Sequence, residues 1–266
     1  MSLSRPSQSP ILLVGAQRSG TTALGCALSA AAAEKAGTFT VNGKLPYYLK
    51  RWWLQDPGDR HGRADEITYS LLRRKPLGVG IDEWLARCES ALREGSARLA
   101  SMGEALDCWN EMRKICKDAY GTGATVWGDK YNEYLLDLPF LNELFPQAAW
   151  IFLARDPRQV VTSMLEWNGD RPWNPQEREA CARKWSAWNT RWLEFRSRIP
   201  KARRIELLYG SPLDALCTFL SESFDLNLAI HLRGYEPAVY AGHSENIALP
   251  TEALQIWATI QDVIGT

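Results

Sequence analysis

The 266-residue chain carries 31 basic and 31 acidic side chains and 45 % hydrophobic residues. That length suffices for one α/β domain with a sizeable core. A net charge of zero excludes a global field that would draw the protein to nucleic acid or an anionic membrane, so any anion site must be local. The six cysteines form no CxxC pair, which excludes zinc-ligand spacing, and no apolar run reaches the ~20 residues of a membrane-crossing helix. Residues 1–10 are polar and lack an apolar signal core. A cytoplasmic protein with free thiols is the expectation.

In chain order, Ile11–Val14 predicts a buried strand, Gly15 to Gly20 a turn-rich link and Thr21–Ala33 a helix. Thr38–Val41, β-branched and aromatic, predicts a second strand. Residues 42–53 contain Pro46, two tyrosines and two tryptophans and read as a loop over a cleft; 56–63, with Pro57, Gly58 and Gly62, reads as a mobile loop. Helices are expected over 82–100 and 104–120, a short strand over 125–127, and a helix over 134–145 interrupted at Pro139. Ala149–Ala154 predicts another buried strand, followed by a helix over 159–167. A long helix over 175–198 places Trp185, Trp188 and Trp192 on one face. A strand over 205–208 and helices over 213–223 and 251–264 complete the pattern. Strands alternating with helices give the expected fold class: α/β, three-layer, with a mainly parallel central sheet flanked by helices, P-loop NTPase-like. One domain over 1–266 is the simplest organisation, its first ten residues flexible.

Two segments carry chemistry. Gly15 to Thr22 reads GAQRSGTT between the first strand and first helix. Successive amides there can face one anion at a helix N-terminus. Gly20 permits close approach, Thr21 and Thr22 add hydroxyls, and Arg18 adds a guanidinium fork. The two glycines keep the spacing of the nucleoside-triphosphatase loop, but Thr21 stands where that loop has lysine, and the cation has moved to Arg18. The second segment runs from Arg155 to Ser163. A strand ends at Arg155, Asp156-Pro157 turns into a helix, and Ser163 follows about two turns later. Arg155 and Ser163 suit a phosphate on an adenosine ribose.

With both segments in this order, the chain resembles the family of sulfotransferases dependent on 3′-phosphoadenosine-5′-phosphosulfate (PAPS), in the bacterial and tyrosylprotein/heparan-type branch. Val126 to Lys130 and Leu138 to Pro146 share the likeness, which spans about residues 11–167. The resemblance implies that Gln17, Arg18, Ser19, Gly20, Thr21 and Thr22 hold the 5′-phosphosulfate and that Arg155 and Ser163 hold the 3′-phosphate. It further implies that a late loop with His243 and Ser244 closes over the product, 3′-phosphoadenosine-5′-phosphate (PAP).

The implied reaction is in-line displacement at sulfur by an acceptor hydroxyl or amine, with no metal required. Arg18 is the expected cation at the leaving oxygen, with Lys130 facing the sulfuryl oxygens. The tyrosylprotein branch carries a glutamate after its second strand, whereas this chain reads Asn42-Gly43-Lys44 there. The general base is therefore open among His61, Asp65, Glu66 and Asp129, with His61 carrying the suitable intrinsic pKa. Residues 42–120 are expected to form an acceptor-recognition insert, with Lys44, Tyr47 and Trp52 contacting a small-molecule, carbohydrate or natural-product acceptor. Trp127 is a candidate for stacking on adenine. The other readings are a P-loop nucleoside or small-molecule kinase, which predicts lysine at position 21, and an inactive PAP-binding relative.

Overall fold

The computed structural model describes residues 9–54, 60–103, 106–121, 126–167, 173–235 and 247–265. Five strands form its sheet: β1 Ile11–Val14, β2 Thr38–Val41, β3 Trp127–Lys130, β4 Ala149–Ala154 and β5 Arg204–Leu208. They pair in the order β2-β3-β1-β4-β5, every pairing parallel. The first four are buried along their whole length, as a sheet covered on both faces requires. Register aligns Leu13 with Lys130 and Ile151, and Ala154 with Leu208. Parallel strands in this register end on one edge, and there the chain delivers Gly15, Asn42, Tyr131, Arg155 and Tyr209. Open α/β sheets bind ligands at that edge, where the strand order reverses.

Alternation along the strands sorts the core into two layers. Ile11, Leu13, Ile151 and Leu153 point to one face, where helices α1 (Thr21–Ala33) and, further along the chain, 214–224 pack through Leu24, Leu28, Leu216 and Leu220. Leu12, Val14, Trp150 and Phe152 point to the other, under the remaining helices. In chain order these are α2 Leu45–Tyr48, α3 Arg60–Arg73, α4 Ile81–Met102, α5 Cys108–Tyr120, α6 Leu138–Leu144, α7 Pro157–Leu165 and α8 Arg178–Phe195; α9 is Asp214–Phe224 and α10 is Thr251–Gly265. Among the described residues no helix is long and apolar enough to cross a membrane, and all six cysteines are free thiols.

Several elements differ from expectation for identifiable reasons. Residues 42–53 are helical, as α2 followed by a π-helical stretch, Leu49–Leu54. Pro46 stands in the first turn, where a missing amide removes no hydrogen bond. Residues 60–63 open α3, while 55–59 lie outside the described residues, as do 1–8. The helix expected from 104 begins at Cys108, because Asp107 caps it by accepting from the amides of Trp109 and Asn110. The third strand is Trp127–Lys130, not 125–127. Its Gly128-Asp129-Lys130 sequence conceals a strand, and a Cβ at 128 would meet the Ile11 carbonyl oxygen at 2.1 Å. Pro139 starts α6 rather than interrupting a helix, after a 3-10 turn over Asn132–Leu136.

The tryptophan face of α8 is where it was expected. Trp192 lies fully buried, stacks on Phe152 with ring centroids 4.7 Å apart, and donates its indole N–H to Glu206 Oε1 at 2.7 Å. Arg196 also bonds Glu206, tying the end of α8 to the edge strand β5. Trp192→Ala should therefore destabilise the fold by about 3–5 kcal/mol. Urea denaturation measures this, and a loss below 1 kcal/mol would contradict the packing role.

Candidate functional site

The Gly15–Thr22 loop leaves β1 and turns through two left-handed residues, Arg18 (φ 66°) and Gly20 (φ 88°). The Ser19 amide donates to the Ala16 carbonyl at 3.2 Å, which closes the turn. Position 20 must be glycine, since a Cβ there would lie 2.4 Å from the Tyr209 ring. The loop feeds α1, whose first turn has amides without helical partners and no acidic residue. Ser19 is wholly buried and its Oγ has no hydrogen-bond partner. A loop with an orphaned hydroxyl and open amides at a helix start fits an oxyanion.

The second segment meets this loop across 145 residues of sequence. Arg18 Nε donates to Ser163 Oγ at 2.9 Å, and Arg155 Nη1 donates to the Arg18 carbonyl at 3.0 Å. Ser163 thus faces the loop from α7, whose Asp156 cap accepts from the Arg158 amide. Arg155 is fixed from several sides. Its Nε bonds Gln159, its guanidinium lies 4.3 Å over the Tyr209 ring, and its carbonyl accepts from the Trp185 indole.

Lys130, at the end of β3, is almost wholly buried and donates to Asn132 Oδ1 at 2.8 Å, Thr22 Oγ1 at 3.2 Å and Asn42 Oδ1 at 3.3 Å. Asn132 in turn donates to the Gly15 carbonyl and to Thr21 Oγ1, so one amide holds the lysine against the loop. Burial pushes the Lys130 ammonium down to about 8, against the upward pull of Asp129 and with a smaller push from Lys44. Asp129 points the other way. Its buried carboxylate accepts from Thr40 Oγ1 (2.7 Å), Tyr134 Oη (2.6 Å) and the amides of Gly43 (2.9 Å) and Lys44 (2.8 Å). Burial raises its pKa, and those hydrogen bonds hold it back.

A cleft of about 600 Å³ joins these groups. Its lining includes Gln17, Arg18, Gly20, Thr21, Thr22, Ala23, Arg155 and Ser163, together with Lys44, Lys130 and Tyr131. Ser19 lies beneath the loop. Tyr47 and Trp52 stand behind the lining. Tyr47 packs edge-on against Tyr131 at 5.5 Å, and Trp52 stacks on Tyr48 at 4.8 Å. Trp127 is core, packed between Tyr120 and Phe145, and is not free to stack on a ligand. Asp129 is occupied by the turn it holds, and Asp65 and Glu66 are exposed on α3. His61 falls in the first turn of α3 with its side chain outside the described residues, and His243 and Ser244 lie outside them altogether. Sequence reasoning missed Asn42, Arg74, Asn132, Glu133 and Trp173, which complete the lining. The signal for two of them was proximity, because Asn132 and Glu133 follow Lys130 in the turn that the strand end creates. Glu133 is the one carboxylate in the lining among the described residues, and after burial it is the main influence raising the Tyr131 hydroxyl.

A profile of the sulfotransferase family matches residues 10–213. Comparison with curated protein sequences returns no significant match. The fold is similar to the sulfotransferase domain from the Synechococcus PCC 7002 olefin synthase (TM-score 0.55, 18 % identity), covering 95 % of this chain and 94 % of that one. It is also similar to the sulfotransferase domain from the curacin biosynthetic pathway (TM-score 0.53, 13 % identity), covering 96 % and 98 %. Sulfotransferase STF9 from Mycobacterium avium gives a TM-score of 0.50 at 16 % identity, covering 97 % of this chain and 77 % of that one. At these identities the structural likeness is one of fold.

The depressed Lys130 has a measurable consequence. Inorganic sulfate, ionised throughout, should bind the cleft and weaken as pH rises through about 8, where the lysine loses its proton. Binding above that pH should take up protons, because a bound anion favours the charged lysine. Calorimetry in buffers of different ionisation enthalpy detects this, and Lys130→Met should abolish it. Undiminished uptake in the variant would assign the titration to another group.

Proposed function

Because this chain belongs to the sulfotransferase family, we propose that it moves a sulfuryl group from PAPS to a hydroxyl or amine of a small-molecule, carbohydrate or natural-product acceptor. The observation that carries this reading is the junction of the two anion-binding segments, through Arg18 Nε to Ser163 Oγ and Arg155 to the Arg18 carbonyl. One cleft then offers two separate anion positions, as a nucleotide phosphorylated at both the 3′ and 5′ ends needs.

In this reading Arg155, Ser163 and Arg18 take the 3′-phosphate. The loop amides, Ser19, Thr21 and Thr22 take the 5′-phosphosulfate. Arg18 leans toward Ser163, whereas Lys130 reaches Thr22 at the start of α1. The geometry therefore favours Lys130 over Arg18 as the cation at the oxygen that bridges sulfur and the 5′-phosphate. During transfer the acceptor oxygen forms a bond to sulfur as the bridging S–O bond breaks. The electron pair stays on the 5′-phosphate oxygen of PAP, where a buried cation is most effective. Glu133 takes the acceptor proton, since it is the one carboxylate lining the cleft among the described residues.

Two measurements test the reading. Arg155→Ala should weaken PAP binding by about 1.5–3 kcal/mol, the value of a hydrogen bond to a charged group. The same variant should bind adenosine 5′-phosphate as wild type does. Equal discrimination by variant and wild type would remove Arg155 from the 3′-phosphate site, and stabilisation by ATP with magnesium but not by PAP would replace the sulfuryl reading with a kinase. Glu133→Gln should lower kcat by about 10²–10⁴-fold with PAP affinity unchanged. A normal kcat in a well-folded variant would exclude it as the base.

A further inference from the structure

Five cationic side chains line the cleft, namely Arg18, Lys44, Arg74, Lys130 and Arg155, against the single carboxylate of Glu133. Three of the five are engaged with the nucleotide segments, through Ser163, the Arg18 carbonyl and the Thr22–Asn132 pair. Lys44 and Arg74 are not. The Lys44 ammonium rests 5.0 Å from the Tyr131 ring, and neither it nor the Arg74 guanidinium hydrogen-bonds or ion-pairs with another described side chain. Some cations outside the cleft are paired. Lys75, next to Arg74, bonds Asp82; Arg98 bonds Glu111 and Arg196 bonds Glu206, each at 2.6 Å.

The position of Lys44 is built into the fold. It adopts φ 62°, a left-handed conformation rare outside glycine, and buried Asp129 holds it there by accepting from its amide and from that of Gly43. Burial first, and then Arg74, push the Lys44 ammonium down. Glu133 and Asp129 pull that ammonium back up, but Lys44 and the exposed Arg74 line one cleft and repel each other, which favours a ligand of opposite sign between them. Tyr131, over which the Lys44 ammonium sits, adds aromatic surface there, and Trp173 belongs to the same lining.

We infer that the acceptor carries an oxyanion, a carboxylate or a phosphate, which docks between Lys44 and Arg74 while its hydroxyl faces Lys130 and Glu133. This rests on the sulfuryl-transfer reading and narrows its acceptor class. Arg is suited to a bidentate grip on either oxyanion, and Lys44 supplies a point charge.

The test uses the whole chain saturated with PAP, so that the phosphate loop is occupied. Three probes are titrated calorimetrically: 4-hydroxybenzoate, 4-hydroxyphenyl phosphate and the neutral 4-hydroxybenzamide. At least one anionic probe should bind about tenfold or more tightly than the amide, and the tighter of the two identifies the oxyanion. In the Lys44→Met/Arg74→Met variant that preference should vanish while PAP affinity stays within about twofold. Lys44→Arg should keep it. Equal binding of all three probes, no binding of either anion, or a preference that survives the double substitution overturns the inference. So does a loss of PAP affinity in the variant, which would give these cations to the nucleotide. Failure of PAP to bind wild type is a different result, for it brings down the sulfuryl-transfer reading and this inference together.

Discussion

Parallel pairing of five short strands is the constraint on which the site depends. Because β1, β3 and β4 run the same way in tight register, their ends cannot be anywhere but beside one another. The Gly15–Thr22 loop and Arg155 follow such an end directly, and Lys130 is the last residue of its strand. The loop lies more than a hundred residues before the other two in sequence, and the sheet brings them together. Each is placed by backbone hydrogen bonds in the middle of the sheet, the least deformable part of the molecule. A sulfotransferase site built this way is rigid where charge must be aimed.

The cost of that design is electrostatic. A chain of zero net charge places five cations against one carboxylate in the described lining of one cleft. Lys130 is nearly without solvent, and three neutral oxygens rather than a carboxylate receive its protons. A carboxylate there would satisfy the lysine and also compete with an anionic ligand. The nearby carboxylate of Asp129 is instead turned aside and spent on the 43–44 turn. Burial pushes the lysine down to about 8 although Asp129 still pulls it up, and a bound anion would favour its charged form. Charge complementarity is therefore delivered by the ligand, and the empty site is less stable than a neutral one would be.

The strands richest in β-branched and aliphatic residues were legible in the sequence. Ile11–Val14, Thr38–Val41 and Ala149–Ala154 have the bounds expected of them. Helix-forming composition also gave α1, and spacing gave the tryptophan face of α8. Legibility failed where function or tertiary packing overrides local preference. The interior strand β3 reads Trp-Gly-Asp-Lys, a run with little β propensity beyond its tryptophan. Glycine is there because Ile11 leaves no room for a side chain, and the two charged residues serve the cleft and the turn. Likewise Tyr47, Tyr48, Trp52 and Trp53 suggested a binding surface. Trp53 is wholly buried and the others pack chiefly on one another and on Tyr131, so their shared role is to set the wall behind the lining.

The position of Arg18 shows what pattern matching alone omits. By spacing Thr21 stands where a triphosphatase loop has its lysine, the nearest cation is Arg18, and the family resemblance implied a role for Arg18 at the leaving oxygen. The left-handed turn at Arg18 sends its side chain sideways to Ser163 instead. Lys130, on another strand, meets the loop at Thr22. In the proposed reading the two cations serve different ends of the nucleotide. Such a division suits a donor whose charges lie at both the 3′ and 5′ positions, and it would serve poorly a triphosphate, whose charges are consecutive. The displaced lysine is thus the structural feature that best separates this loop from its nucleoside-triphosphatase counterpart.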